Sequence, residues 1–241
     1  MLYIGEFSAV LTALLWSGTS LAFSAAAEKL GSFTLNVYRL ILACIFLLLT
    51  VVIAQFNYQL SITQIFYLFI SGIIGLVIGD TFLFASFRHI GARLSMLLMA
   101  LSPAMSAILA YFFLGEELPF WAIIGMFVTL GGISLVIFER AEVPASKYKI
   151  SKIGIFHGLM GAFGQAAGLV LAKLAFEEGD INGFVATFVR IFSSVIIIVP
   201  VAIALKRFKN PVKTYMNDHK VFYSTLTGTI LGPYLGITFS L

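Results

Sequence analysis

Long apolar runs separated by short polar breaks are the feature of this sequence that most limits its fold. A helix needs about 20 apolar residues to cross the hydrocarbon core of a membrane. Eight runs approach that length, at residues 4–26, 33–54, 64–85, 94–114, 120–138, 153–175, 184–205 and 221–241. Only 11% of the residues are charged, against about 25% in soluble domains. The sequence therefore predicts an all-α integral membrane protein with about eight transmembrane helices.

Cationic residues are distributed unevenly over the breaks between these runs. Twelve of the fifteen Lys and Arg residues lie after the first, third, fifth and seventh runs, whereas the other breaks and the N-terminus contain none. Because cytoplasmic loops are enriched in Lys and Arg, the cationic breaks are predicted to be cytoplasmic and the N-terminus outside. This loop pattern indicates a multi-pass protein of the cell membrane, with the lipid bilayer and not a nucleic acid as its partner.

The two halves of the chain share a pattern that indicates an internal repeat. Arg39 corresponds to Arg190, and Gly75 and Gly79 correspond to Gly228 and Gly232. We predict a first repeat of five helices at 1–140, a charged cytoplasmic linker at 141–152 and a second repeat at 153–241. An odd number of helices inverts the second copy, and inverted repeats are typical of secondary transporters.

The predicted second repeat contains three apolar runs where the first contains five. One interpretation is an eight-helix protein with a buried terminus. The other interpretation is an incomplete second repeat whose last two helices are absent. We favour this second interpretation because residues 239–241 lie inside an apolar run. The sequence also leaves open whether two copies form a homodimer.

Several short motifs carry a resemblance to a known family. They are Ala13-Leu14-Leu15-Trp16-Ser17-Gly18, Tyr38-Arg39-Leu40, Leu101-Ser102-Pro103 and Gly232-Pro233-Tyr234-Leu235-Gly236. The most specific is Phe113-Leu114-Gly115-Glu116-Glu117-Leu118, followed by Ile124-Gly125 and Gly131-Gly132. Together they resemble the EamA-like family of the drug/metabolite transporter superfamily, and the last motif also resembles the final hairpin of small multidrug-resistance transporters. The resemblance implies two inverted five-helix halves that export or exchange small metabolites.

Ionisable residues inside the apolar runs are the first candidates for a substrate pathway. Asp80 lies within the third run, where a carboxylate normally faces a polar cavity or a cationic partner. It is a candidate for proton coupling, and the alternative is a structural ion pair with Arg39 or Arg88. Arg39 and Arg190 either extend to the interface, attract an anionic substrate or pair with Asp80.

Other pathway candidates are polar or aromatic. Gln165 lies in the middle of the sixth run, where its amide either joins helices or contacts polar cargo. Trp16 is central in the first run and either lines the pathway or packs. Pro233 removes a backbone hydrogen bond within a span, which often marks a cavity. We place it in the predicted pathway with its neighbour Tyr234.

Glycines recur at helical spacing in two runs. Such stripes form smooth faces on which helices approach closely. We assign a helix-packing role to Gly154, Gly158, Gly161, Gly168, Gly228, Gly232 and Gly236.

Three classes of function compete for this sequence. A secondary transporter of a small-molecule substrate, with proton coupling as a further hypothesis, accounts for Asp80 and the inverted repeat. An intramembrane lipid-modifying enzyme would need a catalytic cluster, and His89 and His157 have no matching set of Asp, Glu or Ser. A membrane scaffold would explain the glycine stripes alone. We expect no enzyme activity, cofactor or metal.

Overall fold

The computed structural model describes residues 4–140, 151–208, 214–216 and 218–241, and every regular element within them is helical. The predicted linker at 141–152 lies almost wholly outside the described residues. Eight elements are α1 Ile4–Leu30, α2 Ser32–Ile53, α3 Ile62–Ser71, α4 Asp80–Met99, α5 Ser102–Leu114, α6 Phe120–Arg140, α7 Lys152–Glu177 and α8 Gly183–Ala204. The final run contains α9 His219–Thr229, the π-helix π2 Ile230–Gly236 and α10 Ile237–Ser240. A first π-helix, π1 Gly72–Gly79, joins α3 to α4.

Local sequence explains where several helices begin and end. Ser61 and Gln64 form a reciprocal capping box at the start of α3, which satisfies two backbone groups that have no partner inside the helix. Gly91 interrupts α4 with φ 79° and ψ 161°, a conformation that glycine adopts readily. This break separates the third predicted run from the fourth. Gly115 ends α5 in the left-handed region, and Pro119 follows before α6 begins.

The surface composition of the helices fits a lipid environment. Five helical segments of the described chain are long and apolar enough to cross a membrane, and α5 and residues Phe120–Leu135 of α6 are shorter apolar helices. Large side chains such as Trp121 and Phe127 are 78% and 70% exposed. Soluble monomers rarely expose contiguous apolar surface of this kind. The structure thus confirms an all-α membrane protein.

The smooth face of α7 packs against π1 and α4. A methyl group on Gly164 would lie 2.6 Å from the Cα of Gly79, and one on Gly168 would lie 3.0 Å from the Cα of Gly75. Elsewhere on α7, Gly154, Gly158 and Gly161 face the side chains of Ile90, Leu98 and Leu83, each within 3.2 Å of an added methyl group. Backbones approach this closely only where both helices lack side chains.

A similar arrangement joins the first helix to the last. Gly228, Gly232 and Gly236 face Phe23, Thr19 and Trp16 of α1, each within 3.3 Å of an added methyl group. Thus α1 packs against α9 and π2, while α7 packs against π1 and α4, and α2 packs against α8.

Polar contacts near the ends of the helices show which helix ends lie on the same side of the protein. Lys29, in the last turn of α1, pairs with Asp218, the residue before α9, at 2.5 Å. Gln64 Nε2 donates to the carbonyl of Gly179 at 3.3 Å, and this contact joins the first turn of α3 to the break after α7. These contacts fit helices that alternate in direction. The position of the N-terminus outside the cell stays a prediction.

Candidate functional site

A cavity of about 880 Å³ lies among α1, α4, α5, α7, α8 and α10. Its wall is mainly apolar and includes Trp16, Met96, Met99 and Leu169. On α5, Pro103 and the hydroxyl-bearing Ser102 and Ser106 also line the cavity. Ligand pockets of small molecules commonly enclose 300–1,000 Å³ behind mostly apolar walls with a few polar groups, so the cavity has the size and character of a metabolite site.

A buried ion pair lies directly behind the cavity wall. Asp80, at the start of α4, and Arg39, in α2, are both fully buried, and Arg39 Nη2 donates to Asp80 Oδ2. Gln165 Nε2 donates to the other carboxylate oxygen of Asp80 at 2.7 Å. Gln165 also lines the cavity. It therefore links the wall of the cavity to the ion pair.

Asn36 fixes the position of Arg39 and donates hydrogen bonds to the backbone of π1. Its Oδ1 accepts from Arg39 Nε at 2.9 Å, and its Nδ2 donates to the carbonyls of Leu76 and Val77 at 3.0 and 3.3 Å. The guanidinium of Arg39 also lies over the ring of Phe84, 4.9 Å from its centroid. These contacts hold Arg39 in place within a region of low dielectric constant, although its Nη1 has no hydrogen-bond partner within the described residues.

Arg190 has a different environment from Arg39. Its side chain is 1% exposed and lines the cavity. Its Nε and Nη1 atoms have no hydrogen-bond partner within the described residues. The structure thus places in the cavity wall an arginine with two guanidinium nitrogens that lack a hydrogen-bond partner, although buried charges are normally paired.

The cavity also reaches an exposed ion pair. Lys173 Nζ, near the end of α7, contacts Glu116 Oε1 in the break after α5, and the two side chains are 51% and 39% exposed. Both residues line the cavity. This pair stands at the solvent-exposed end of the cavity, whereas Arg190 stands at its buried end.

The structure separates the predicted pathway residues into three groups. Trp16, Gln165 and Arg190 line the cavity, and Arg39 and Asp80 meet behind it. Pro233 and Tyr234 lie in π2 outside this lining, and the Tyr234 hydroxyl is 2.7 Å from Thr50 Oγ1. The alternative in which Arg39 and Arg190 extend to the interface is wrong, because both are buried. Arg39 instead pairs with Asp80, as one of the alternatives expected.

The sequence pattern of the EamA-like transporter family matches residues 3–138. This match covers more than half of the chain. The protein belongs to the EamA-like transporter family. This is the family that the sequence motifs resemble. Among curated proteins, none matches the chain.

Sequence reasoning missed part of this site. Asn36 stands one helical turn before Arg39, and an amide within an apolar run was the available signal. Met96 and Met99 were missed because the fourth run is apolar on every side, so its pattern does not show which face meets the cavity. Gly75 and Gly79 were visible as matched positions of the repeat but gave no signal for a π-helix.

Proposed function

We propose that this EamA-like protein is a secondary transporter that exports or exchanges small metabolites across the cell membrane by alternating access. The observation that carries the proposal is the cavity, in which Gln165 and Arg190 are presented beside an apolar wall. Polar and ionisable groups deep within membrane helices are costly and usually mark a substrate or ion pathway. A scaffold has no need of such a cavity.

The packing of the helices supports an inverted repeat as the basis of this mechanism. The first helix of each predicted repeat packs against the third helix of the other, as α7 does with π1 and α4, and α1 with α9 and π2. Each of these third helices contains a π-helix. In inverted-repeat transporters, the site lies between the halves and alternating access arises when one moves against the other. The glycine-lined contacts provide smooth surfaces for such a movement.

Proton coupling through Asp80 is the finer part of the proposal. Both carboxylate oxygens accept hydrogen bonds, from Arg39 and Gln165. Protonation of Asp80 would remove the negative charge that holds Arg39, so we propose that protonation accompanies a change in the helix arrangement. Coupling would then depend on separation of Asp80 from Arg39 in one of the two states.

Flux across reconstituted vesicles tests both parts. The full chain in proteoliposomes is expected to exchange labelled metabolites from a mixed panel without chemical change, unlike protein-free liposomes. Asp80→Asn is expected to retain exchange but lose acceleration by an imposed pH gradient, because Asn keeps one acceptor oxygen and carries no titratable proton. Product formation would favour an enzyme, and unchanged pH-gradient acceleration in the Asn variant would refute proton coupling.

A further inference from the structure

The unpaired state of Arg190 follows from the predicted repeat. Arg39 and Arg190 occupy corresponding positions, and so do Asp80 and Pro233, which follow the corresponding glycines Gly79 and Gly232. Arg39 therefore has an acid on the third helix of its own repeat, whereas Arg190 has a proline at that position. Proline offers neither a charge nor a hydrogen-bonding side chain, so the second arginine lacks the partner of the first.

The charges around the cavity leave a positive excess. Arg39 and Asp80 neutralise each other through direct contact, as do Lys173 and Glu116. Arg190 is the charge left over among the described residues of the cavity and its polar cluster. Asp80 lies near enough to attract it electrostatically, but its oxygens already accept from Arg39 and Gln165. An unpaired buried guanidinium is stabilised most by an anion that enters the cavity.

The chemistry of the wall narrows the class of anion. A guanidinium matches a planar carboxylate through charge-assisted hydrogen bonds. One unpaired charge favours a monoanion, and the aromatic and thioether side chains of Trp16, Met96 and Met99 favour an apolar body. Thr12 Oγ1, also in the wall, is a further hydroxyl without a partner within the described residues.

We propose that Arg190 is the substrate-binding residue that recognises the carboxylate of a small amphipathic organic anion. The carboxylate occupies the buried end of the cavity and the apolar body lies against Trp16 and the two methionines. This inference deepens the proposed function, since it names the class of substrate, and its transport consequence rests on that function. Binding itself is measured separately.

The test compares a charged carboxylate with its uncharged amide analogue. Binding of phenylacetate and of phenylacetamide to the purified full chain in lipid nanodiscs is measured by calorimetry and by the shift in Tm. Phenylacetate is expected to bind and the amide to bind at least 10-fold more weakly, since a hydrogen bond to a charged group contributes about 10- to 100-fold. Equal binding of phenylacetate and phenylacetamide would overturn the proposal. A rise in Tm with inorganic phosphate but not with phenylacetate would also overturn it.

Variants assign the effect to one residue. Arg190→Gln is expected to weaken phenylacetate binding about 10- to 100-fold, while the matched change Arg93→Gln, at an exposed position of α4, leaves it unchanged. If the Gln variant does not fold, Arg190→Lys keeps the charge and is expected to show a smaller loss. Unchanged affinity in a folded Arg190 variant would overturn the assignment.

Flux measurements show whether the transport proposal or the proposal for Arg190 fails. Exchange of neutral or cationic metabolites without phenylacetate binding would retain the transporter and overturn the anion class. Phenylacetate binding that depends on Arg190, without flux of any panel compound, would support the site and refute transport.

Discussion

The two buried arginines are expected to respond in opposite ways to the same substitution. Arg39→Met removes the cation from Asp80 and leaves a buried carboxylate with Gln165 as its remaining donor. Loss of one partner from a buried ion pair destabilises a protein by about 3–5 kcal/mol. Arg190→Met removes a charge whose Nε and Nη1 have no partner, and Asp80 keeps both of its donors. We expect this variant to lie within about 1 kcal/mol of wild type or to be more stable.

The assay is reversible unfolding of the protein in nanodiscs or mild detergent, without added anion, followed by circular dichroism. The double variant Arg39→Met with Asp80→Leu is a control, because replacement of a whole buried pair by apolar residues is often neutral. It is expected to recover most of the stability lost in the single Arg39 variant. An equal loss in the Arg39 and Arg190 single variants would refute the reasoning, since it would mean that Asp80 depends on both arginines alike.

Three further predictions concern packing, orientation and pH. Gly164→Ala is expected to destabilise the protein by about 1–3 kcal/mol through overpacking, whereas Gly131→Ala, with no atom within 4 Å of the added methyl group, is expected to be neutral or stabilising in the same unfolding assay. In a cysteine-free background, a membrane-impermeant thiol reagent is expected to label Gln59→Cys from outside and Lys206→Cys from inside; the reverse pattern would contradict the predicted orientation. A lysine hydrogen bond and backbone N–H donors hold the pKa of Asp218 below its usual range, so its stabilising effect is present at neutral pH and is lost as the pH falls through the folded-state pKa. Acidification below about pH 4 is therefore expected to destabilise wild type more than Asp218→Asn, and an equal response would contradict this.

The course of the helices could be predicted because lipid imposes a strict length and composition on each one. The break at Gly91 and the turn at Gly115 lie in polar breaks that the sequence already marked, since glycine permits a positive φ at both. The smooth face of α7 was similarly visible in the spacing of its glycines. These features depend on local residue properties and therefore appear directly in the sequence.

The environment of each buried ionisable residue was harder to predict. Arg39 and Arg190 occupy similar positions in apolar runs, and both were compatible with extension to the interface. Their different environments depend on residues distant in sequence, namely Asp80 for the first arginine and Pro233 in the matching position for the second. Helices that are apolar on all sides also give little indication of which face meets a cavity. Such properties require the three-dimensional arrangement.

Blocking the cavity tests the central claim most directly. Counterflow of a labelled metabolite from the exchanged panel is measured for wild type, for Ala107→Trp in the cavity wall and for the matched change Ala25→Trp at an exposed position of α1. If the cavity is the transport pathway, Ala107→Trp abolishes or strongly reduces counterflow in a folded, inserted protein, while Ala25→Trp retains it. Wild-type counterflow in the Ala107→Trp variant, with its insertion and fold verified, would contradict the assignment of this cavity as the pathway.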